Sequence, residues 1–275
     1  MYQKAKYFVV NNEFIKSELF DISELEKGFS VYEVVKIEKG IPLFFEDHLK
    51  RLHHSAKLKN KNIPFSDSEI KKNVFNLIDV NKIKEGRLKF AVRFYQSDNK
   101  LICFFLNPII PTSDNYNKGI KIMSVQAERK NPNAKIINYE LRTYINKLIS
   151  ENAIFEVLLF NNDGMITECS KSSIFFIKNK TVYTSMSKDV LAGITRDYIY
   201  KICKNHSLEL KECEIRQSDL HTFESAFITG TSIGVLPVNQ TDNQTFSVKN
   251  DIIKLLSDNY KDIVKNYLNK RTSFI

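Results

Sequence analysis

The sequence predicts a mixed α/β protein built in two parts. Short apolar strands alternate with helical stretches along nearly the whole chain. The polar segment 107–119 (NPIIPTSDNYNKG) carries two prolines and little periodicity, and it is the one plausible domain boundary. A hydrophobic share of 43%, with 12% aromatics, gives the 275 residues enough apolar surface for two modest domains. The expected division is a small α/β domain over 1–112, a linker over 107–119 and a larger domain over 120–275.

The elements follow in order. KYFVVNNEFI predicts a hairpin turning at Asn11-Asn12. VYEVVKIEKGIPLFF predicts two strands joined at Lys39-Gly40, where a tight turn needs positive φ. Leu49, Leu52 and Ala56 recur at helical spacing behind Asp47, whose charge suits a helix start. SDSEIKKNVFNLIDVN predicts a second helix, with Ser66 or Ser68 as its N-cap and Ile70, Val74, Leu77 and Ile78 on one face. RLKFAVRFY and KLICFFLN form a hairpin across 97–99.

Beyond the linker come a strand (IKIMSVQ), a loop (RKNPN) and a helix with Leu141, Ile145 and Leu148 on its apolar side. IFEVLLF, MITECSK and SSIFFIK read as consecutive strands, with Asp163-Gly164 as a turn. ITRDYIYKICKNH is a helix, SAFIT a buried strand ending at Gly230, and KNDIIKLLSDNYKDIVKNYLNK a closing amphipathic helix.

Composition removes several function classes. The net charge of +9 rests on 41 basic residues, of which only eight are arginine and the lysines are spread along the chain. A surface that tracks phosphates clusters its charge and interleaves aromatics, so no nucleic-acid partner is expected. No run approaches the ~20 apolar residues of a membrane span, and the first residues lack the pattern of a signal peptide. Cys103, Cys169, Cys203 and Cys213 show neither a CxxC pair nor metal-ligand spacing. They read as reduced thiols of a cytoplasmic protein with no metal centre.

Four separated pieces then make one constellation: Lys135 in NAKIINYE, Glu168 in TECSKSS, Thr195 in LAGITRD and Thr231 in ITGTSIG. A lysine amine forms a Schiff base with an aldehyde. A carboxylate keeps a pyridine nitrogen protonated, which makes the ring an electron sink. Two small hydroxyl-bearing turns, one opening a helix at Gly193-Ile194-Thr195, present backbone N–H groups to a phosphate. The ordered set is what an enclosed pyridoxal 5'-phosphate requires.

On these residues, together with EKGFSVYEVVK and FFEDHLKRLHHSAKL, the chain resembles the class IV aminotransferases, the fold-type IV group of pyridoxal-phosphate enzymes. That group includes branched-chain and D-amino-acid aminotransferases and aminodeoxychorismate lyase. The resemblance covers nearly the whole chain and fades in about the last forty residues. It implies a small N-terminal α/β domain and a larger, β-barrel-like C-terminal α/β domain, with the cofactor held between them, in a homodimer. It implies that Lys135 is the Schiff-base lysine and moves a proton as general base and acid. Glu168 then faces the pyridine nitrogen, and Tyr139 hydrogen-bonds the cofactor's phenolic oxygen. Arg51, Ile194, Thr195, Thr231 and Ser232 hold the phosphate.

On the substrate side the resemblance assigns Tyr32, with Glu33 beside it, to the pocket-lining strand. Lys89 falls where branched-chain enzymes tend to carry arginine and the lyase tends to carry lysine. Lys27 replaces a tyrosine usually found before the first glycine of that motif, and Ser173 stands where many members have asparagine. The implied activity is amino-group transfer from an amino acid to a 2-oxo acid, of the branched-chain type. The alternative is 4-amino-4-deoxychorismate lyase, which forms p-aminobenzoate and pyruvate.

Overall fold

The computed structural model describes residues 5–107 and 110–272. Two compact units emerge. The first takes residues 5–107, 134–138 and 266–272, and the second 110–133 and 139–265. Pro108 and Ile109 of the expected linker lie outside the described residues.

The first unit is an antiparallel sheet in the order β2-β1-β6-β5-β3-β4. Its strands are β1 (Tyr7–Val10), β2 (Glu13–Lys16), β3 (Phe29–Glu38), β4 (Ile41–Pro42), β5 (Gly86–Phe94) and β6 (Lys100–Leu106). Both short turns form where expected: Asn11 and Asn12 take φ of 48° and 72°, and Lys39 and Gly40 take 54° and 78°. The second strand of that hairpin is shorter than IPLFF suggests. Phe44 turns left-handed (φ 53°) and α1 (Phe45–Lys57) begins immediately. α2 (Asp67–Asn81) starts from Ser66, which forms a reciprocal capping box with Glu69.

Alternation along β3 decides where the site's first residues go. Val31, Glu33, Val35 and Ile37 are all completely buried, on the face that meets α1. One of these four is a carboxylate, and a charge on a core face must find partners.

The second unit is a nine-stranded curled sheet, a half-barrel in the order β12-β11-β10-β13-β14-β7-β8-β9, with β15 on β14. Its strands are β7 (Ile120–Gln126), β8 (Glu156–Phe160), β9 (Ile166–Cys169), β10 (Ser173–Lys178), β11 (Thr181–Thr184), β12 (Leu210–Glu212), β13 (Ser225–Gly230), β14 (Gly234–Thr241) and β15 (Gln244–Thr245). The pairs β11–β12, β14–β7 and β7–β8 are parallel. The helices are α3 (Ser113–Lys118), α4 (Tyr139–Asn152), α5 (Ile194–Asn205) and the start of α6 (Asp251–Thr272).

α3 lies inside the expected linker. Its six residues hold no apolar period, and a Thr112–Asn115 capping box defines it instead. β9 and β10 are consecutive in the chain yet do not pair as neighbours. The 170–172 turn carries the chain from β9, which pairs with β8, to β10, which pairs with β11 and β13.

Candidate active site

In the first unit β3 and α1 build a buried charge network. Arg51 Nε and Nη2 donate to the two oxygens of Glu33 at 2.7 and 2.6 Å, a bidentate pair. His48 Nδ1 lies 2.7 Å from the same carboxylate. His48 and Glu33 are fully buried, and the Arg51 side chain is only 9% exposed. Burial alone would raise the Glu33 pKa, but the Arg51 charge and hydrogen bonds, with His48, outweigh it and hold it at about 2. Burial pushes the His48 pKa below its ordinary value despite the neighbouring carboxylate. The imidazole is therefore neutral, with its Nδ1 proton donated to Glu33. The pattern that reveals this network is present in the sequence: His48, Arg51 and Ser55 are polar residues on the inner side of an amphipathic helix.

Lys135 stands beside this helix, in the short stretch between the 129–133 loop and α4. Residues 135–137 add to the free edge of β3. Tyr32 N–H donates to Lys135 O and Ile137 N–H to Ser30 O, each at 3.0 Å, and Val31 and Ile136 form a bridge. The Lys135 N–H donates to the buried Ser55 Oγ on α1 at 3.0 Å. The Lys135 ammonium lies 5.1 Å from the Tyr32 ring centroid.

Lys89, on β5 opposite Val34 of β3, points to the Tyr32 face of the sheet. Its ammonium sits 4.5 Å from the Tyr32 ring and 5.8 Å from that of Phe104. Tyr32, Lys89 and Lys135, from three distant stretches, thus converge. Lys27 pairs with Glu24.

In the second unit Glu168 is buried on β9. Its Oε1 accepts from Arg129 Nη1 at 2.5 Å and its Oε2 from Leu191 N–H at 3.3 Å. Sequence reasoning missed Arg129, which lies in an aperiodic stretch and carries no signal of its own. Behind Glu168, the buried Glu156 accepts from Ser170 Oγ (2.5 Å) and Lys171 N–H (3.1 Å), and Arg142 Nη2 donates to Ser170 O at 2.9 Å. These contacts fix the turn after β9 and with it the Glu168 strand.

Gly193 is the N-cap of α5, and no side chain caps that helix. The first-turn N–H groups of Ile194 and Thr195 therefore form an open, positively polarised end. Both residues are buried, and Thr195 Oγ1 lies 3.3 Å from Tyr260 Oη. A Cβ on Gly193 would meet Ser173 Oγ at 2.8 Å and Arg196 Cβ at 3.1 Å, so a larger residue there would have to displace one of them. Ser173 pairs with Thr229, and Thr231 and Ser232 follow at once in the hairpin loop closed by Gly234 (φ 64°). Glu168, the α5 start and the 231–232 turn are thus brought together through Leu191, Ser173 and Thr229. Tyr139, half-buried, is the first residue of α4.

This fold and these groups have counterparts among known proteins. A family model described as amino-transferase class IV matches residues 30–241. The chain belongs to the class IV amino-transferases, a family of pyridoxal-phosphate-dependent enzymes. Among curated relatives it is 27% identical over 229 residues to the D-alanine aminotransferase of Bacillus licheniformis, covering 79% of this chain and 81% of that one. It is 27% identical over 277 residues to a putative branched-chain-amino-acid aminotransferase of Methanocaldococcus jannaschii (92% and 95% covered). It is 23% identical over 286 residues to the aminodeoxychorismate lyase of Bacillus subtilis (95% and 96%). The solved branched-chain aminotransferase of the archaeon Thermoproteus uzoniensis with norvaline has the same fold, with a TM-score of 0.83 at 19% identity over 96% of each chain. Among the described residues no helix is long and apolar enough to cross a membrane.

Proposed function

We propose that the protein transfers the amino group of an amino acid to a 2-oxo acid, with a branched-chain type of donor, and that Lys135 carries pyridoxal phosphate in Schiff-base linkage. The observation that supports this most is the convergence of Lys135, Lys89 and Tyr32 on one face of the first unit's sheet. It joins an amine fixed through its backbone to a cation able to receive a substrate carboxylate.

The residues fit the cofactor. An amine, a buried carboxylate and an uncapped helix start are the partners that an aldehyde, a pyridine nitrogen and a phosphate need. When bound, the cofactor supplies an electron sink for the substrate's Cα electrons. In this reading Lys135 would take the proton from the donor's Cα and deliver it to the cofactor's C4′ carbon, and would run the transfer in reverse for the 2-oxo acid. Glu168, held by Arg129, keeps the pyridine nitrogen protonated. Tyr139 donates to the phenolic oxygen. Ile194, Thr195, Thr231 and Ser232 bind the phosphate together with Arg51, whose guanidinium Glu33 holds in place. Lys89 and Tyr32 orient the substrate. We further place the linker at 107–119, and propose that the protein acts in the cytoplasm as a homodimer.

A second reading, 4-amino-4-deoxychorismate lyase, is favoured by the position of Lys89. Both use Lys135, and the products separate them. Transamination converts a 2-oxo acid to its amino acid. The lyase releases pyruvate and p-aminobenzoate with no amino acceptor present. Borohydride reduction followed by peptide mapping tests the common core: the label is expected on Lys135, and Lys135→Ala should abolish labelling and turnover together. Label on any other lysine rejects the assignment.

A further inference from the structure

α1 presents two polar side chains one helical turn apart on its buried side, Arg51 and Ser55. Arg51 is locked to Glu33. Ser55 is completely buried, and its Oγ accepts the Lys135 N–H at 3.0 Å, while the Lys135 carbonyl accepts from Tyr32 N–H at 3.0 Å. The lysine backbone is therefore clamped on both sides, and each clamp comes from the first unit's own frame.

We propose that Ser55 is a positioning residue for the amino-transfer chemistry: its hydroxyl fixes the Lys135 peptide so that the ammonium stays over Tyr32. The inference rests on Lys135 being the cofactor lysine. Residues 135–137 pair only briefly with β3, through the Val31–Ile136 bridge and the bonds that flank it. The main-chain donor at position 135 is directed at α1, where the serine oxygen takes the place of a neighbouring strand. Losing that acceptor strips the part-buried Lys135 N–H of this bond and frees the peptide plane to rotate. A proton shuttled by Nζ depends on reach, and a misplacement of about 1 Å can cost about 100-fold in rate. The structural alternative is that Ser55 merely satisfies a part-buried donor, so that its loss would lower stability and leave the chemistry unchanged.

The test uses holoenzyme Ser55→Ala. The expected result is a kcat lowered about 10- to 100-fold, an amino-donor KM within about twofold of wild type, and a displaced pH midpoint of the lysine-bound cofactor's visible band. The borohydride label should remain on Lys135. An unchanged kcat and band midpoint, with the label still on Lys135, overturns the positioning role while leaving the function standing. Label on another lysine overturns both. Amide hydrogen exchange of wild-type holoenzyme gives a check that no variant's folding can blur. The Lys135 amide should exchange at least about 100-fold more slowly than an unprotected one, and exchange at the unprotected rate overturns the proposal.

Discussion

Arg51 grips Glu33 through two parallel N–H···O bonds of 2.7 and 2.6 Å inside a region where the carboxylate is wholly buried. The pair makes the phosphate arginine expected from sequence part of a neutral unit with a fixed orientation. Removing one member is therefore worse than removing both. Arg51→Ala should destabilise the protein by about 3–5 kcal/mol by leaving a buried charge uncompensated. The double variant Arg51→Ala with Glu33→Ala should recover part of that loss. Urea unfolding of the two variants checks this, and a double variant less stable than the single one would contradict it.

The same network sets an acid limit. Glu33 has its pKa held at about 2 against an ordinary 4.5, so the unfolded chain binds its proton first. Its contribution is complete above about pH 4.5 and is lost as pH falls towards 2. His48, lowered from 6.5, acts with the same sign: the unfolded state takes up the proton below about 6.5 and stability falls from there. Thermal midpoints measured from about pH 7 to 3 should decline in wild type. The decline should be shallower in Glu33→Gln once its lower starting stability is subtracted.

Arg129 supports Glu168 with a charge-assisted bond. Arg129→Gln should remove about 1.5–3 kcal/mol of interaction from the carboxylate and weaken pyridoxal phosphate binding by about tenfold or more. A spectrophotometric cofactor titration measures it, and wild-type affinity would mean that Glu168 needs no such support.

Gly193 tests the α5 end. A methyl group there meets Ser173 Oγ at 2.8 Å, so Gly193→Ala should cost about 1–3 kcal/mol through overpacking and loosen phosphate binding. Pairing it with Ser173→Ala removes the nearer obstruction and should restore part of both, the Arg196 Cβ contact at 3.1 Å remaining. If the double variant is no better than the single, the contact is not the cause.

Much of this architecture is legible in the chain. The Asn11-Asn12 and Lys39-Gly40 turns, the Ser66 cap and the α5 start all depend on residues within a few positions of each other, and such signals survive in a sequence. The strands β11, β12, β14 and β15 escape a local reading. They are mostly short, and two of the pairings that stabilise them, β11–β12 and β14–β7, join distant segments. Arg129 is hidden for the same reason: 39 residues separate it from Glu168. The pairing of Lys135 with β3 is also beyond local reasoning, because a single isolated bridge has no period to detect. Glu33 is readable in principle, as a carboxylate in phase with Val31, Val35 and Ile37.

Helix α1 has no side-chain cap from its own neighbourhood. Its first amide, that of Phe45, donates instead to Tyr267 Oη at 3.0 Å, from 222 residues further along the chain, and Arg271 pairs with Glu46 on the next residue. A ribosome therefore releases the six strands of the first unit long before it releases the side chains that finish the helix carrying His48, Arg51 and Ser55. Until those arrive the Phe45 amide and the Glu46 carboxylate lack these partners, and the start of the helix is finished last.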